Sequence, residues 1–142
     1  MTLQFQNRTQ IRVRYGETDQ MGYCYYGNYA QYFEVGRVET LRSLGMSYRD
    51  WEESGVMLPV SRYEIDFRAP AFYDDLLDIV TNIVLLEGAK ITFQYQALRG
   101  EMLLARASTI LVFVDKTTMR PIRPPKEFLS LIKPFEESPK LD

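Results

Sequence analysis

Histidine is absent from this 142-residue chain, and cysteine occurs only once, at Cys24. Without histidine, the chain cannot build a Ser-His-Asp or Cys-His nucleophilic system or the usual His-ligated zinc or iron site. Cys24 has no partner for an internal disulfide, which agrees with a reducing compartment, and no histidine base to activate its thiol. Any catalysis must therefore use carboxylates, backbone amides, tyrosine, lysine, serine or threonine, and we expect neither a metal nor a redox cofactor.

Long apolar runs and an excess of basic charge are also missing. The longest strongly apolar stretch, residues 110–114, is far too short to span a bilayer, and the first ten residues lack the charged-then-apolar order of a signal peptide. The 17 Lys and Arg residues face 19 Asp and Glu residues, and the basic residues are dispersed, so no footprint for a nucleic-acid backbone exists. We expect a cytoplasmic protein with no membrane span and no nucleic-acid partner.

Alternating apolar residues predict that most of the chain is strand. The alternation at Ile11, Val13 and Tyr15 predicts a half-buried first strand. Four later segments, joined mainly by short turns, predict an antiparallel meander with strands at residues 62–68, 77–86, 91–98 and 102–114. Pro125 is expected at the first position of a last short helix reaching Ile132, and residues 134–142 are expected to be a loose tail. The length fits a single domain, residues 1–142.

Between the first strand and the others, the period changes to that of a helix. Apolar residues recur at three- and four-residue spacing over residues 29–44, with Asn28 as a plausible N-cap and Gly45 as the C-terminal stop. Gly36 lowers helix propensity, so we expect another element to pack closely against it. Ser47 opens a second, short helix with a capping box. The order of elements predicts an α+β fold in which the sheet wraps the long helix, because no second long helix covers its apolar face.

Several motifs of the chain occur together in one known family. They are TDQMGYCYYGNY at residues 18–29, with VRY before it and FE after it on the predicted helix, DFRAP at 66–70, and VD and RP at 114–115 and 120–121. The chain strongly resembles the 4-hydroxybenzoyl-CoA thioesterase family of hotdog-fold acyl-CoA thioesterases. The resemblance implies a hotdog fold: a long central helix wrapped by a curved, five-stranded antiparallel sheet.

The resemblance also implies that Asp19 is the catalytic carboxylate of a thioester hydrolase. Hydrolysis needs, in addition, hydrogen-bond donors where negative charge develops on the thioester oxygen. The backbone amides near Tyr26 and Gly27 precede the long helix, at the positive end of its dipole. One segment of the chain therefore supplies both the carboxylate and the candidate oxyanion donors.

Further substrate contacts are expected from two segments. The first surrounds the catalytic motif and contributes Gly22, Tyr25, Asn28 and Tyr29. The second resembles the family segment that faces the catalytic loop of a partner subunit and comprises Val60, Ser61 and Arg62. Coenzyme A is expected only as part of the substrate, and no cofactor is implied.

The role of Asp19 has two forms, because it can attack the thioester directly or activate a water as general base. Many family members carry a histidine seven residues after the aspartate, whereas this chain has Tyr26, as the 4-hydroxybenzoyl-CoA branch does. Histidine-assisted water activation is therefore excluded, and we favour a role for the Tyr26 amide over its hydroxyl. Glu34 is the rival carboxylate on the long helix, unless it only forms an ion pair with Arg37.

Other function classes compete with a thioesterase. A hotdog dehydratase or hydratase depends on histidine, so the composition argues against it. A non-catalytic protein that binds acyl-CoA or an acyl carrier is the main alternative, and a purely structural dimer is the third. Self-association is expected, at least as a dimer, because one helix leaves a sheet edge and an outer face uncovered. The family resemblance favours a homotetramer formed as a dimer of dimers.

Overall fold

The computed structural model describes residues 1–138, which form three α-helices and two β-sheets. In chain order the elements are β1 (Thr2–Arg12), α1 (Tyr29–Leu44), α2 (Tyr48–Glu53), β2 (Val56–Met57), β3 (Val60–Phe67), β4 (Leu76–Glu87), β5 (Lys90–Arg99), β6 (Met102–Val112), β7 (Val114–Asp115) and α3 (Lys126–Ile132). The main sheet has the strand order β1-β4-β5-β6-β3 and is antiparallel throughout, while β2 and β7 pair separately. The predicted α+β architecture is confirmed.

Helix α1 forms where the hydrophobic period predicts it. Gly45 ends the helix in the left-handed region, at φ 103°, which glycine adopts without a steric penalty. The helix contacts β1, β4 and β5. Its buried face consists of Tyr29, Tyr32, Phe33, Gly36, Arg37, Thr40, Leu41 and Leu44. The main hydrophobic core therefore lies between α1 and the inner face of the large sheet.

Gly36 marks the point where α1 approaches β4 most closely. A Cβ atom added there would lie 2.5 Å from Thr81 Oγ1 and 2.8 Å from Ile79 Cγ2. Both distances are shorter than ordinary van der Waals contact, so only a hydrogen fits without movement of β4. The predicted close packing against Gly36 is confirmed.

Strand β3 departs from the predicted meander. Strands β4, β5 and β6 do follow one another through short turns, at which Gly88 and Gly100 have φ values of 59° and 61°. Strand β3 instead pairs with β6 at the opposite edge from β1, and Tyr63 lies opposite Thr109. The prediction that β3 and β4 are neighbours is wrong. Residues 68–75 connect them across the sheet, and the Arg68 and Ala69 amides both donate to the Leu104 carbonyl.

The end of the first strand and the C-terminal segment also differ from expectation. Strand β1 ends at Arg12, and Tyr15 begins a short 3-10 turn with 78% of its surface exposed. Near the C-terminus, Pro125 occupies the N-cap position of α3, one residue before the first helical position that was predicted for it. The expected loose tail begins at residue 134, but residues 134–137 are attached to β1: Glu136 bridges to Leu3, and the Glu137 amide donates to the Thr2 carbonyl. Residues 139–142 lie outside the described residues.

Arg37 is a buried cation that the sequence pattern assigns to the polar side of α1. It is 8% exposed, and its guanidinium donates to the Tyr48 hydroxyl at 2.8 Å and to the Tyr95 hydroxyl at 3.0 Å. Glu34, in contrast, is exposed and forms no ion pair with Arg37 within residues 1–138. The alternative of a Glu34–Arg37 helix pair is therefore wrong. None of the helices in this part of the chain is long and apolar enough to span a membrane.

Candidate active site

The segment from Glu17 to Asn28 forms a compact loop between β1 and α1. Thr18 and Cys24 form an isolated antiparallel bridge across it. The Cys24 amide donates to the Ala71 carbonyl at 2.7 Å, which attaches the loop to the crossover segment that follows β3. Residues distant in sequence therefore meet here, at the N-terminal end of α1.

A cavity of about 420 Å³ opens at this junction. Asp19 and Tyr26 line it together with the first residue of α1, Tyr29. Its other lining residues are Met21, Tyr23, Cys24, Phe67, Arg68, Ala69 and Pro70. Because most of these side chains are apolar or aromatic, the cavity suits an acyl or aryl group next to one carboxylate.

Asp19 is held by its own turn with one carboxylate oxygen left free. Its Oδ1 atom accepts a hydrogen bond from the Met21 amide at 2.9 Å, and its carbonyl accepts one from the Gly22 amide at 2.9 Å. Gly22 has φ 83°, a conformation that favours glycine. No donor within residues 1–138 reaches Oδ2. The carboxylate is thus oriented by one oxygen, while the other is available to a water or a substrate carbonyl.

The amides expected to stabilise an oxyanion belong to a short 3-10 turn, Tyr26–Asn28, that leads directly into α1. In the part of the chain that the structure describes, neither the Tyr26 nor the Gly27 amide donates a hydrogen bond. The Tyr25 ring covers Gly27, since a Cβ added to Gly27 would lie 2.6 Å from Tyr25 Cε2. Two backbone N–H groups at a helix N-terminus thus have no acceptor within residues 1–138, an arrangement that favours developing negative charge.

Glu17 closes the loop and is not among the predicted site residues. The residue is 9% exposed, and its Oε1 atom accepts hydrogen bonds from the Arg14 amide at 2.8 Å and from the Tyr32 hydroxyl at 3.0 Å. Its carbonyl accepts from the Tyr25 amide at 2.9 Å and from Asn28 Nδ2 at 2.7 Å. No periodic signal indicates that a glutamate in a polar, glycine-containing loop is buried.

Burial sets the protonation of the side chains beneath the loop. It raises the pKa of Tyr29 to about 12 and raises the pKa of the Cys24 thiol, whose sulfur lies 3.4 Å from the Tyr32 hydroxyl. Burial also raises the pKa of Tyr32, and its contacts with Cys24 and Glu17 raise it further. Tyr32 therefore remains a protonated donor, and Cys24 is a packed thiol and not an activated nucleophile.

Several predicted substrate contacts lie away from the cavity. The Asn28 side chain makes no helix cap, because it binds the Glu17 carbonyl. Ser61 Oγ donates to the Ile110 carbonyl, and Arg62 pairs with Glu64. The predicted catalytic and substrate-binding residues that do not line the cavity within this chain are Gly22, Tyr25, Gly27, Asn28, Val60, Ser61 and Arg62. Among them Gly22, Tyr25, Gly27 and Asn28 shape the loop, whereas the other three lie on the edge strand β3.

Seven residues line the cavity without having been predicted as site residues, and two of them, Phe67 and Arg68, lie at the end of β3. Phe67 ends β3 and packs edge-to-face on Tyr29, with ring centroids 5.2 Å apart. Arg68 follows it. The motif DFRAP marks this segment, but only the pairing of β3 with the distant β6 brings it to the catalytic loop. The rival carboxylate, Glu34, instead lines a separate cavity of about 200 Å³ with Val60.

Within residues 1–138, no group of three or more His, Cys, Asp or Glu side chains is arranged to hold a metal ion. The chemistry that the geometry offers is that of a free carboxylate oxygen, unoccupied amide donors and an apolar cavity.

Comparisons with known proteins agree with this geometry. A family model described as the thioesterase-like superfamily matches residues 13–132. The acyl-CoA thioesterase YbgC of Haemophilus influenzae is 34% identical over 118 residues, which cover 82% of this chain and 87% of that protein. The DHNA-CoA thioesterase from Staphylococcus aureus superimposes with a TM-score of 0.81 at 32% identity, covering 84% of this chain and 80% of that one.

The predicted resemblance is confirmed at the level of the superfamily. A structure of 4-hydroxybenzoyl-CoA thioesterase has a TM-score of 0.82 but only 23% identity over 89% of this chain and 98% of that one, which shows a shared fold alone. The more similar relatives do not single out the 4-hydroxybenzoyl-CoA branch. Since the family model covers most of the chain, the protein belongs to the thioesterase-like superfamily and has its hotdog fold.

Proposed function

We propose that this protein hydrolyses acyl-CoA or aryl-CoA thioesters to a free acid and coenzyme A, with Asp19 as the catalytic carboxylate. One observation carries the proposal: a carboxylate with a free oxygen lines an apolar cavity at the N-terminal end of α1. The names of the Haemophilus influenzae and Staphylococcus aureus relatives support a coenzyme A thioester as the substrate. The absence of histidine from the sequence leaves the carboxylate as the natural base or nucleophile.

Two chemical routes fit an oriented aspartate. In the first, Asp19 Oδ2 attacks the thioester carbonyl, a C–O bond forms, the C–S bond breaks, and water then hydrolyses the mixed anhydride. In the second, Asp19 accepts a proton from a water whose oxygen attacks the carbonyl, and coenzyme A leaves with a proton. In both routes the Tyr26 and Gly27 amides would stabilise the negative charge on the carbonyl oxygen.

The routes differ in whether an acyl group is ever attached to the protein. Rapid acid quench during turnover of a slow substrate, followed by mass spectrometry of the peptide containing Asp19, detects a mixed anhydride. An added acyl mass on that peptide supports the nucleophilic route. Turnover with no acyl-enzyme at any quench time, under conditions that trap a model anhydride, supports the general-base route.

A panel of short, long and aromatic acyl-CoAs tests the activity itself, by following release of free thiol. We expect turnover on some members, which would also show whether the acyl group is aliphatic or aromatic. The main alternative is a non-catalytic protein that binds acyl-CoA or an acyl carrier. Binding of acyl-CoA by calorimetry without release of thiol from coenzyme A or carrier-protein thioesters would favour that alternative and contradict our proposal.

Arg68 is the candidate partner for an anionic part of the substrate. Asp19 and Arg68 are the two charged residues that line the cavity, and Arg68 forms no ion pair or side-chain hydrogen bond within residues 1–138. Guanidinium groups bind phosphate with two parallel hydrogen bonds. We therefore assign Arg68 to the phosphates of coenzyme A.

Self-association is part of the proposal. Strand β3 pairs with β6 on one side only, and seven of its eight residues are exposed, whereas the first residues of β1 are covered by Glu136 and Glu137. An uncovered edge strand is a template for pairing with a second copy. Such a dimer would place Val60, Ser61 and Arg62 at the interface, and a dimer of dimers remains the expected higher state. Light scattering measures the molar mass of the wild type and of Val60→Lys in solution, and a lower mass for the variant supports this interface. The cytoplasmic location stays a prediction.

A further inference from the structure

We infer that Glu17 is a positioning residue for hydrolysis: it fixes the distance between the Asp19 carboxylate and the Tyr26 and Gly27 amides. This inference rests on the proposed function, because it concerns the same catalytic loop. Glu17 does not line the cavity and touches no reacting atom. It acts through the loop that carries the catalytic groups.

Glu17 accepts four hydrogen bonds, which come from both ends of the loop. The Arg14 amide, where β1 has just ended, and the Tyr32 hydroxyl of α1 both donate to Oε1. The amide of Tyr25 and the side chain of Asn28 both donate to the Glu17 carbonyl. These bonds close the loop at Glu17. Asp19 follows Glu17 in the chain, and the free amides of Tyr26 and Gly27 lie between Tyr25 and Asn28, which both donate to the Glu17 carbonyl.

The energetics favour a single arrangement of this ring. A buried carboxylate that loses its donors is strongly penalised, so the network is satisfied only when β1, the loop and α1 keep their relative positions. Tyr32 remains protonated, since burial raises its pKa, and it can serve only as a donor to the carboxylate. Because a misplacement of about 1 Å between reacting groups costs about 100-fold in rate, such a closure matters for kcat.

Three substitutions separate positioning from general stability. Glu17→Ala removes the Oε1 acceptor, and we expect kcat to fall about 100-fold with KM changed less than about threefold, because the apolar walls of the cavity remain. Glu17→Gln keeps an oxygen acceptor of the same reach and should restore most of the lost kcat. Ile91→Val, in the buried core of β5, is the matched control, which lowers stability by about 0.5–1.5 kcal/mol without touching the loop.

A second readout does not depend on activity. Hydrogen exchange followed by mass spectrometry should show faster exchange of the peptide covering residues 17–28 in Glu17→Ala and in Tyr32→Phe, with no such change in Ile91→Val. Unchanged exchange in Glu17→Ala, unchanged kcat, or an equal loss of kcat in Ile91→Val would overturn the inference. If the wild type turns over no thioester, the proposed function fails, and the exchange data still decide whether Glu17 fixes the loop.

Discussion

Replacing Gly36 by alanine tests how closely α1 is packed on the sheet. The new methyl group would lie 2.5 Å from Thr81 Oγ1 and 2.8 Å from Ile79 Cγ2. Both neighbours are buried and β-branched, so they cannot rotate away at low cost. Overpacking of this kind destabilises a protein by about 1–3 kcal/mol, whereas the higher helix propensity of alanine stabilises it by about 1 kcal/mol. With two contacts this short we take the upper part of the range and expect Gly36→Ala to lower the free energy of unfolding by about 2 kcal/mol.

Urea unfolding at a fixed protein concentration measures the effect, since self-association makes stability depend on concentration. Thr81→Ala removes the nearer of the two contacts and also a buried hydroxyl that has no hydrogen-bond partner within residues 1–138. We expect the double variant Gly36→Ala/Thr81→Ala to recover about 1 kcal/mol relative to additivity. A stabilising Gly36→Ala, or strictly additive effects of the two substitutions, would refute the close packing of α1 on β4.

Two further predictions concern the cavity and the tyrosines around it. Arg68→Ala should raise KM about tenfold for acyl-CoA. It should leave the rate with acyl-pantetheine unchanged, because that substrate lacks the nucleotide phosphates. An equal loss of activity on both substrates would contradict a phosphate contact. Burial raises the pKa of Tyr29 to about 12, so the unfolded chain ionises first. Tyr29 alone should therefore lower the free energy of unfolding as pH rises from about 10 to about 12, by up to about 1.4 kcal/mol per pH unit. Tyr29→Phe should reduce this slope, whereas Ile91→Val, a buried substitution that removes no ionisable group, should not.

Local patterns in the sequence predicted the elements well and their long-range partners less well. The period of the apolar residues is sufficient for α1, because one buried face requires it. The position of β3 depends on pairing with β6, whose paired residues lie 38 to 51 positions later in the chain, and no local turn signal encodes it. Arg37 shows the same limit, since its hydroxyl partners come from α2 and β5.

The same distinction between local and long-range signals applies to the residues of the candidate site. Asp19, Tyr26 and Tyr29 belong to one contiguous motif, so their convergence at the start of α1 follows from the order of loop and helix. Phe67 and Arg68 reach the cavity only through the sheet, and Glu17 is identified only by its hydrogen bonds. Val60, Ser61 and Arg62 stay predictions, because their proposed role requires a second copy of the chain.

Asp19→Asn tests the central claim most directly, since it removes the negative charge and basicity of the carboxylate while keeping its shape. The measurement is kcat for thiol release on the best substrate of the acyl-CoA panel, with Asp50→Asn, an exposed position on α2, as the matched control. We predict a loss of at least about 100-fold in kcat for Asp19→Asn, with circular dichroism and acyl-CoA binding retained, and no loss for the control. An Asp19→Asn variant that keeps wild-type turnover would contradict the assignment of Asp19 as the catalytic carboxylate.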